Sequence, residues 1–181
     1  MRWCAILTFL LPALGAAATP WGMDDGLDRG TAWGANGYSD AQVRAAIAKM
    51  AVAGVQWYRD IATWGDVEPT KGATSKTYLA RQDFIYDNLQ THGIQEYIQV
   101  GCQPKWASSA PDSADFWAYP PANLPDWSAH VTFMAKRYQG KVLYWEIGNE
   151  EDWIFWRGDL AQYTAYLKTA YLALKAVDPA N

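Results

Sequence analysis

Three times in this chain a stretch of helical period ends on a glycine, at Gly54, Gly93 and Gly140, and passes at once into a short run of strand-forming residues. Strands entered repeatedly from helices call for a parallel sheet, because antiparallel neighbours are joined by tight turns instead. Ser39 with Gln42 three residues on forms a capping box, and Val43, Ala46, Ile47 and Met50 follow at helical spacing up to Gly54. Residues 55–61 read as a strand. A loop through Trp64, Glu68, Pro69, Lys71 and Gly72 leads to a helix over residues 79–92, and residues 94–100 read as the next strand. Asp126 is placed to cap a helix reaching Tyr138, with Val131 and Met134 on its apolar face. Residues 141–150 then read as a buried strand. Leu160, Tyr163, Leu167, Ala170, Tyr171, Leu174 and Val177 mark a last amphipathic helix, which Asp178-Pro179 stops.

Upstream of Ser39, residues 19–30 are rich in Gly and Asp and read as a loop, and residues 31–37 read as a first strand. The whole makes an α/β chain of four strand–helix units. A closed (β/α)8 TIM-type barrel takes about 250 residues and eight such units, so this chain would supply about the first four of them. A small open parallel sheet is the other arrangement with this rhythm. No linker of low complexity divides residues 19–181, which read as one domain.

The first residues, Met1-Arg2-Trp3, precede a short apolar run that ends near Ala16-Ala17-Ala18. A charged start, an apolar stretch and small residues at a cleavage point predict an export signal over residues 1–18, hence a secreted or periplasmic protein. A membrane anchor is the competing reading, but the run is short for a span and carries Pro12. Without that segment Cys102 has no partner for an intrachain disulfide. The formal net charge of −4 gives no basic stripe for nucleic acid, so small or neutral ligands are the expected partners. Eleven Trp and eleven Tyr exceed what a core of this size needs, and flat aromatic faces suit sugar-binding clefts.

Barrel enzymes do their chemistry at the C-terminal ends of the strands. There the chain places Asn149 and Glu150, an amide beside a carboxylate. A carboxylic acid shielded by aromatics resists ionisation, and can then give a proton to a leaving group. Trp64, Trp106 and Trp153 each lie just beyond a strand end, where a ring face could meet the apolar face of a pyranose; plain packing is the competing explanation for each. Residues 101–125 form a long loop with five prolines and the aromatics Trp106, Trp117 and Tyr119, and such loops in compact domains are usually functional. His92 precedes a helix-stopping glycine and His130 lies within a helix, so both read as ordinary helix residues, with no metal site and no cofactor implied.

These pieces together resemble the retaining glycoside hydrolases of clan A, families five and thirty-nine most of all. Tyr144-Trp-Glu-Ile-Gly-Asn-Glu150 resembles their fourth-strand signature. Gly54-Val-Gln-Trp-Tyr-Arg59, with Trp64 and Glu68-Pro69 beyond it, resembles their second strand and its loop. Gln103-Pro-Lys-Trp106 resembles the turn after their third, and Arg137-Tyr-Gln-Gly140 the approach to their fourth. The resemblance implies that Glu150 is the general acid/base, that Asn149 holds the sugar 2-hydroxyl, and that Arg59 orients the nucleophile. A salt bridge from Arg59 to Glu146 is the competing role for that arginine.

Glu151 stands where many members have proline, and the family nucleophile, a Glu ending the seventh strand, has no counterpart in these residues. Glu146 lies roughly 13 Å below Glu150 along an extended strand, and Glu151 would point to the other face, so neither reads as the partner carboxylate. The expected reaction is hydrolysis of a β-linked poly- or oligosaccharide through two carboxylates about 5–5.5 Å apart. The competing function is a secreted carbohydrate-binding or inactive barrel fragment. An incomplete barrel would expose inward apolar residues and open sheet edges, which predicts self-association.

Overall fold

The computed structural model describes residues 21–24, 26–27 and 37–179. The expected export signal, and residues 31–36 of the expected first strand, lie outside them. Four parallel strands stand in the order β1-β2-β3-β4: Gly22–Met23, Trp57–Thr63, Gln95–Gly101 and Trp145–Ile147. Helices α1 (Asp40–Val52), α3 (Lys76–Thr91) and α4 (Leu124–Arg137) carry the chain from each strand to the next, and α5 (Leu160–Val177) follows the last. The short α2 (Trp64–Val67) opens directly from the end of β2.

The sheet is that of an open, partial barrel. Its outer face packs on the helices. Tyr58, Asp60 and Ala62 alternate with half-buried residues along β2, the period-two pattern of a strand with two unlike faces. The register pairs Tyr58 with Glu96, Asp60 with Ile98 and Ala62 with Val100, so these share the helix side. Two apolar groups fill the space beneath. Val43, Ile47, Tyr58, Ile85, Leu89 and Ile94 form one under α1 and α3. Ile98, Val100, Trp127, Val131, Met134 and Tyr166 form the other under α4 and α5.

The inner face carries Arg59, Ile61, Tyr97, Gln99 and Glu146, since Arg59 pairs with Tyr97, Ile61 with Gln99 and Gln99 with Glu146. The expectation of an apolar inner face is corrected here: four of these five side chains are polar, and Arg59 and Glu146 bond to each other across the sheet.

The capping box of α1 forms as expected, with the Gln42 amide N–H donating to Ser39 Oγ and the Ser39 amide N–H donating to Gln42 Oε1. Gly54 follows the helix at φ +81°, a left-handed conformation that glycine enters without a Cβ clash. Elsewhere the chain departs from the sequence reading. The strand beside β2 is Gly22–Met23, inside the stretch expected to be loop. Two residues are too few to show a period.

Asn123, not Asp126, stands at the cap of α4; Pro125 in its first turn needs no amide partner, and Asp126 instead accepts from Lys71 Nζ at 2.7 Å. The fourth strand spans three residues rather than ten, and all three are only half-buried. Among the described residues it pairs with β3 alone, and no strand lies along its other edge.

Candidate active site

Arg59 is the centre of the inner face. Its side chain is 16% exposed, and a guanidinium in that position needs acceptors for its fixed fork of N–H groups. Nε donates to Glu146 Oε2 at 2.7 Å, and Nη2 donates to Glu146 Oε1, a bidentate pair. Nη1 donates to Asp24 Oδ2 at 2.8 Å and Nη2 to Asn149 Oδ1 at 2.8 Å. The bonds from Glu146 first, and Asp24 after it, hold the guanidinium pKa above its already high value, against the lowering effect of burial. The salt bridge weighed in the sequence is therefore real, and it coexists with the contact to Asn149. Because the Asn149 carbonyl faces Arg59, its amide nitrogen is the end left to meet a ligand hydroxyl.

The backbone bends sharply after β4. Gly148 donates its N–H to Val100 O at 2.8 Å, one last ladder bond, and then adopts φ +84°. Glu150 sits at φ +46°, and Trp153 N–H donates to Glu150 O at 3.0 Å to close the turn. Cys102, just past β3, has φ +52°. Non-glycine residues in this region cost of order 1–3 kcal/mol each, and such strain gathers at functional sites. Here both examples stand at neighbouring C-terminal strand ends.

Glu150 is exposed, and its carboxylate makes no hydrogen bond among the described residues. The expected aromatic shield is thus absent from this part of the molecule, because the strand stops at Ile147 and the turn carries the side chain clear of the sheet. Glu151 behaves differently. It folds back over Gly148 so closely that a Cβ there would meet Glu151 Oε1 at 1.8 Å. That oxygen is buried without a partner, and burial raises the carboxyl pKa, with the charges of Glu146 and Asp152 adding to the effect.

The three tryptophans separate by environment. Trp64 is fully buried, packed edge-on to Trp106 and stacked on His130, with Nε1 donating to Glu68 Oε2 at 2.9 Å. A ring without an exposed face cannot carry a sugar, so the expected platform at Trp64 is corrected to a core residue. Trp106 is half-buried: Nε1 donates to Glu68 O at 3.0 Å, and Lys71 Nζ lies 5.5 Å from the ring centre. Trp153 is 68% exposed, on the turn that holds Glu150.

One participant, Asp24, and the role of another, Glu68, could not be read from the sequence. Asp24 lies in a stretch without any pattern, and Glu68 is a staple, accepting from Trp64, Trp106 and the Gly72 amide. His130 is a helix residue as expected, yet it is buried and packs against both Trp64 and Trp127, which also touch each other. A surface groove lined by Leu124, Phe133, Lys136 and Thr169 lies between α4 and α5 and holds no carboxylate, so the strand ends remain the candidate site. Among the described residues no group of His, Cys, Asp and Glu is arranged to hold a metal ion.

No family model and no curated protein matches the sequence. Solved structures do match. A family 39 glycoside hydrolase from Bacteroides cellulosilyticus superposes with a TM-score of 0.60 at 20% identity, covering 78% of this chain and 28% of that one. An exo-β-1,4-mannosidase from an Opitutaceae bacterium gives 0.63 at 20% identity, over 77% of this chain and 26% of that one. Endo-glycoceramidase II from a Rhodococcus species gives 0.64 at 14% identity, over 87% and 46%. The chain has the fold of part of a glycoside hydrolase barrel. It spans less than half the length of these three proteins. Within that partial barrel, Asn149 and Glu150 stand just past the end of β4, where such folds place their chemistry, and Arg59 and Glu146 lie below them on the inner face.

Proposed function

We propose that this chain carries the acid/base arm of a retaining glycoside hydrolase acting on a β-linked poly- or oligosaccharide. Glu150 protonates the glycosidic oxygen as it leaves. A carboxylate from a segment beyond these four units attacks the anomeric carbon, and Glu150 then takes a proton from the water that releases the sugar. Asn149 donates its amide N–H to a sugar hydroxyl. Arg59 has four of its N–H groups engaged and retains one to orient the nucleophile. Export follows from the signal-like residues 1–18.

The observation that carries this reading is the Arg59 bridge, because a single guanidinium ties the inner-face Glu146 to Asn149 and so fixes the amide beside Glu150. The test is a Glu150→Gln variant of the full-length protein. With a poor alkyl or sugar leaving group kcat should fall about 10²–10⁴-fold, the usual contribution of a general acid. With a dinitrophenyl leaving group, which departs without a proton, the first step should suffer far less. Equal losses of kcat/KM on both substrates, or none, would overturn the assignment, whereas kcat falls on both because Glu150 also serves the second step. The exposure of Glu150 favours a second reading, a carbohydrate-binding or inactive barrel, for which wild-type protein binds β-linked oligosaccharide without turnover.

A further inference from the structure

We propose that Trp153 is the platform for the leaving-group side of the substrate, and that it takes a neutral ring with a flat apolar face, a pyranose or an aromatic aglycone. This rests on Glu150 being the acid. A proton donor must lie within hydrogen-bond reach of the glycosidic oxygen, so what lies to one side of it faces the glycon and what lies to the other faces the leaving group. The Asn149 side of Glu150 is tied toward β2 by Arg59 Nη2 at 2.8 Å. The opposite side is the turn closed by the Trp153 N–H on Glu150 O at 3.0 Å, which leads away into the loop before α5. The turn therefore presents Trp153 three residues past the acid, on the chain side that leads away from the sugar-holding Asn149.

The loop that presents Trp153 is braced rather than slack. Arg157 donates its backbone N–H to Ala118 O at 2.9 Å and its Nε to Asp115 Oδ2 at 2.9 Å, joining this loop to the one after β3. Phe155 packs against Trp117 with ring centres 5.3 Å apart, and Trp156 packs against Tyr163 and Tyr166. Those two rings of the loop are half-buried while Trp153 stays 68% exposed. A tryptophan carries 150–250 Å² of largely apolar surface, and holding it in water on a braced loop has a cost that a ligand ring would remove. Glu150, Glu151 and Asp152 directly precede it, and their carboxylates disfavour an anionic leaving group.

The test compares full-length wild type with Trp153→Ala and Trp153→Phe on glycosides that share one glycon and differ in leaving group: methyl, aryl and sugar. The ratio of kcat/KM for the aryl and sugar substrates to that for the methyl substrate should fall about ten- to hundredfold in Trp153→Ala, mostly through KM, and recover in Trp153→Phe. A stronger loss for aryl identifies an aromatic aglycone; a stronger loss for sugar identifies a saccharide. A uniform loss across all three substrates would overturn the platform, as would an unchanged ratio. If wild type hydrolyses nothing, the acid assignment falls separately, and binding of a β-linked oligosaccharide by calorimetry decides the platform. Binding weakened at least tenfold in Trp153→Ala supports it, and unchanged or absent binding refutes it.

Discussion

Arg59 shows how one side chain sets the geometry of the strand ends. Three groups from two distant parts of the chain, Asp24 on one side and Glu146 and Asn149 on the other, converge on its planar fork. Lysine keeps the charge but offers a point donor on a flexible stem, so it cannot serve all three at once. An Arg59→Lys variant should lose about 1–2 kcal/mol of stability in urea unfolding, less than a fully buried network would give because Glu146 is one-third exposed. It should also free Asn149 and lower kcat/KM on glycosides. Unfolding curves that superimpose on wild type would show that the fork adds nothing. The same scale explains why Glu150 and Glu151 differ. Both are acidic, yet positive φ at Gly148 and Glu150 turns one carboxyl outward and folds the other back over the glycine.

At the scale of elements, α4 is held against the end of β2 by an aromatic cluster in which His130, Trp64 and Trp127 pack mutually, His130 having the two indole ring centres 5.1 and 5.7 Å away and the indoles lying 5.5 Å from each other. Neither imidazole nitrogen has a hydrogen-bond partner, and burial alone lowers the pKa to about 3 from the usual 6.5. The folded state therefore keeps His130 neutral where the unfolded chain would protonate it. Its contribution is intact above pH 6.5 and shrinks as the pH falls toward 3, by at most about 1.4 kcal/mol per pH unit. Thermal midpoints should accordingly drop more steeply in wild type than in His130→Phe over that window. Parallel pH dependences in the two proteins would exclude the histidine as the cause.

The elements themselves were largely legible, because capping boxes, helical spacing and terminal glycines are local signals. β1 was not, since two residues carry no period, and neither was the brevity of β4, which follows from having one pairing partner. In the site, Asn149 and Glu150 could be read from a motif. The role of Asp24 and the bond from Trp106 to Glu68 could not, because they are tertiary contacts 35 and 38 residues apart.

For the whole molecule the deciding feature is an open sheet. β1 and β4 each have one strand neighbour among the described residues, and an unpaired edge presents free N–H and C=O groups to any other strand. Leu143 and Tyr144, 48% and 59% exposed, lead directly into β4 and add apolar surface to that edge. The charged pair of the inner face, Arg59 and Glu146, is already bonded within the chain and does not oppose association. A polypeptide of these 181 residues should therefore associate through β4 as its concentration rises, with the mean mass by sedimentation velocity climbing above 20.2 kDa. Leu143→Lys puts a charge beside the edge without touching the core, and should shift that association to higher concentration. A constant monomer mass would mean that the edge of β4 is protected by something other than strand pairing. An association unaffected by Leu143→Lys would place the contact elsewhere, with the groove between α4 and α5 as the next surface to examine.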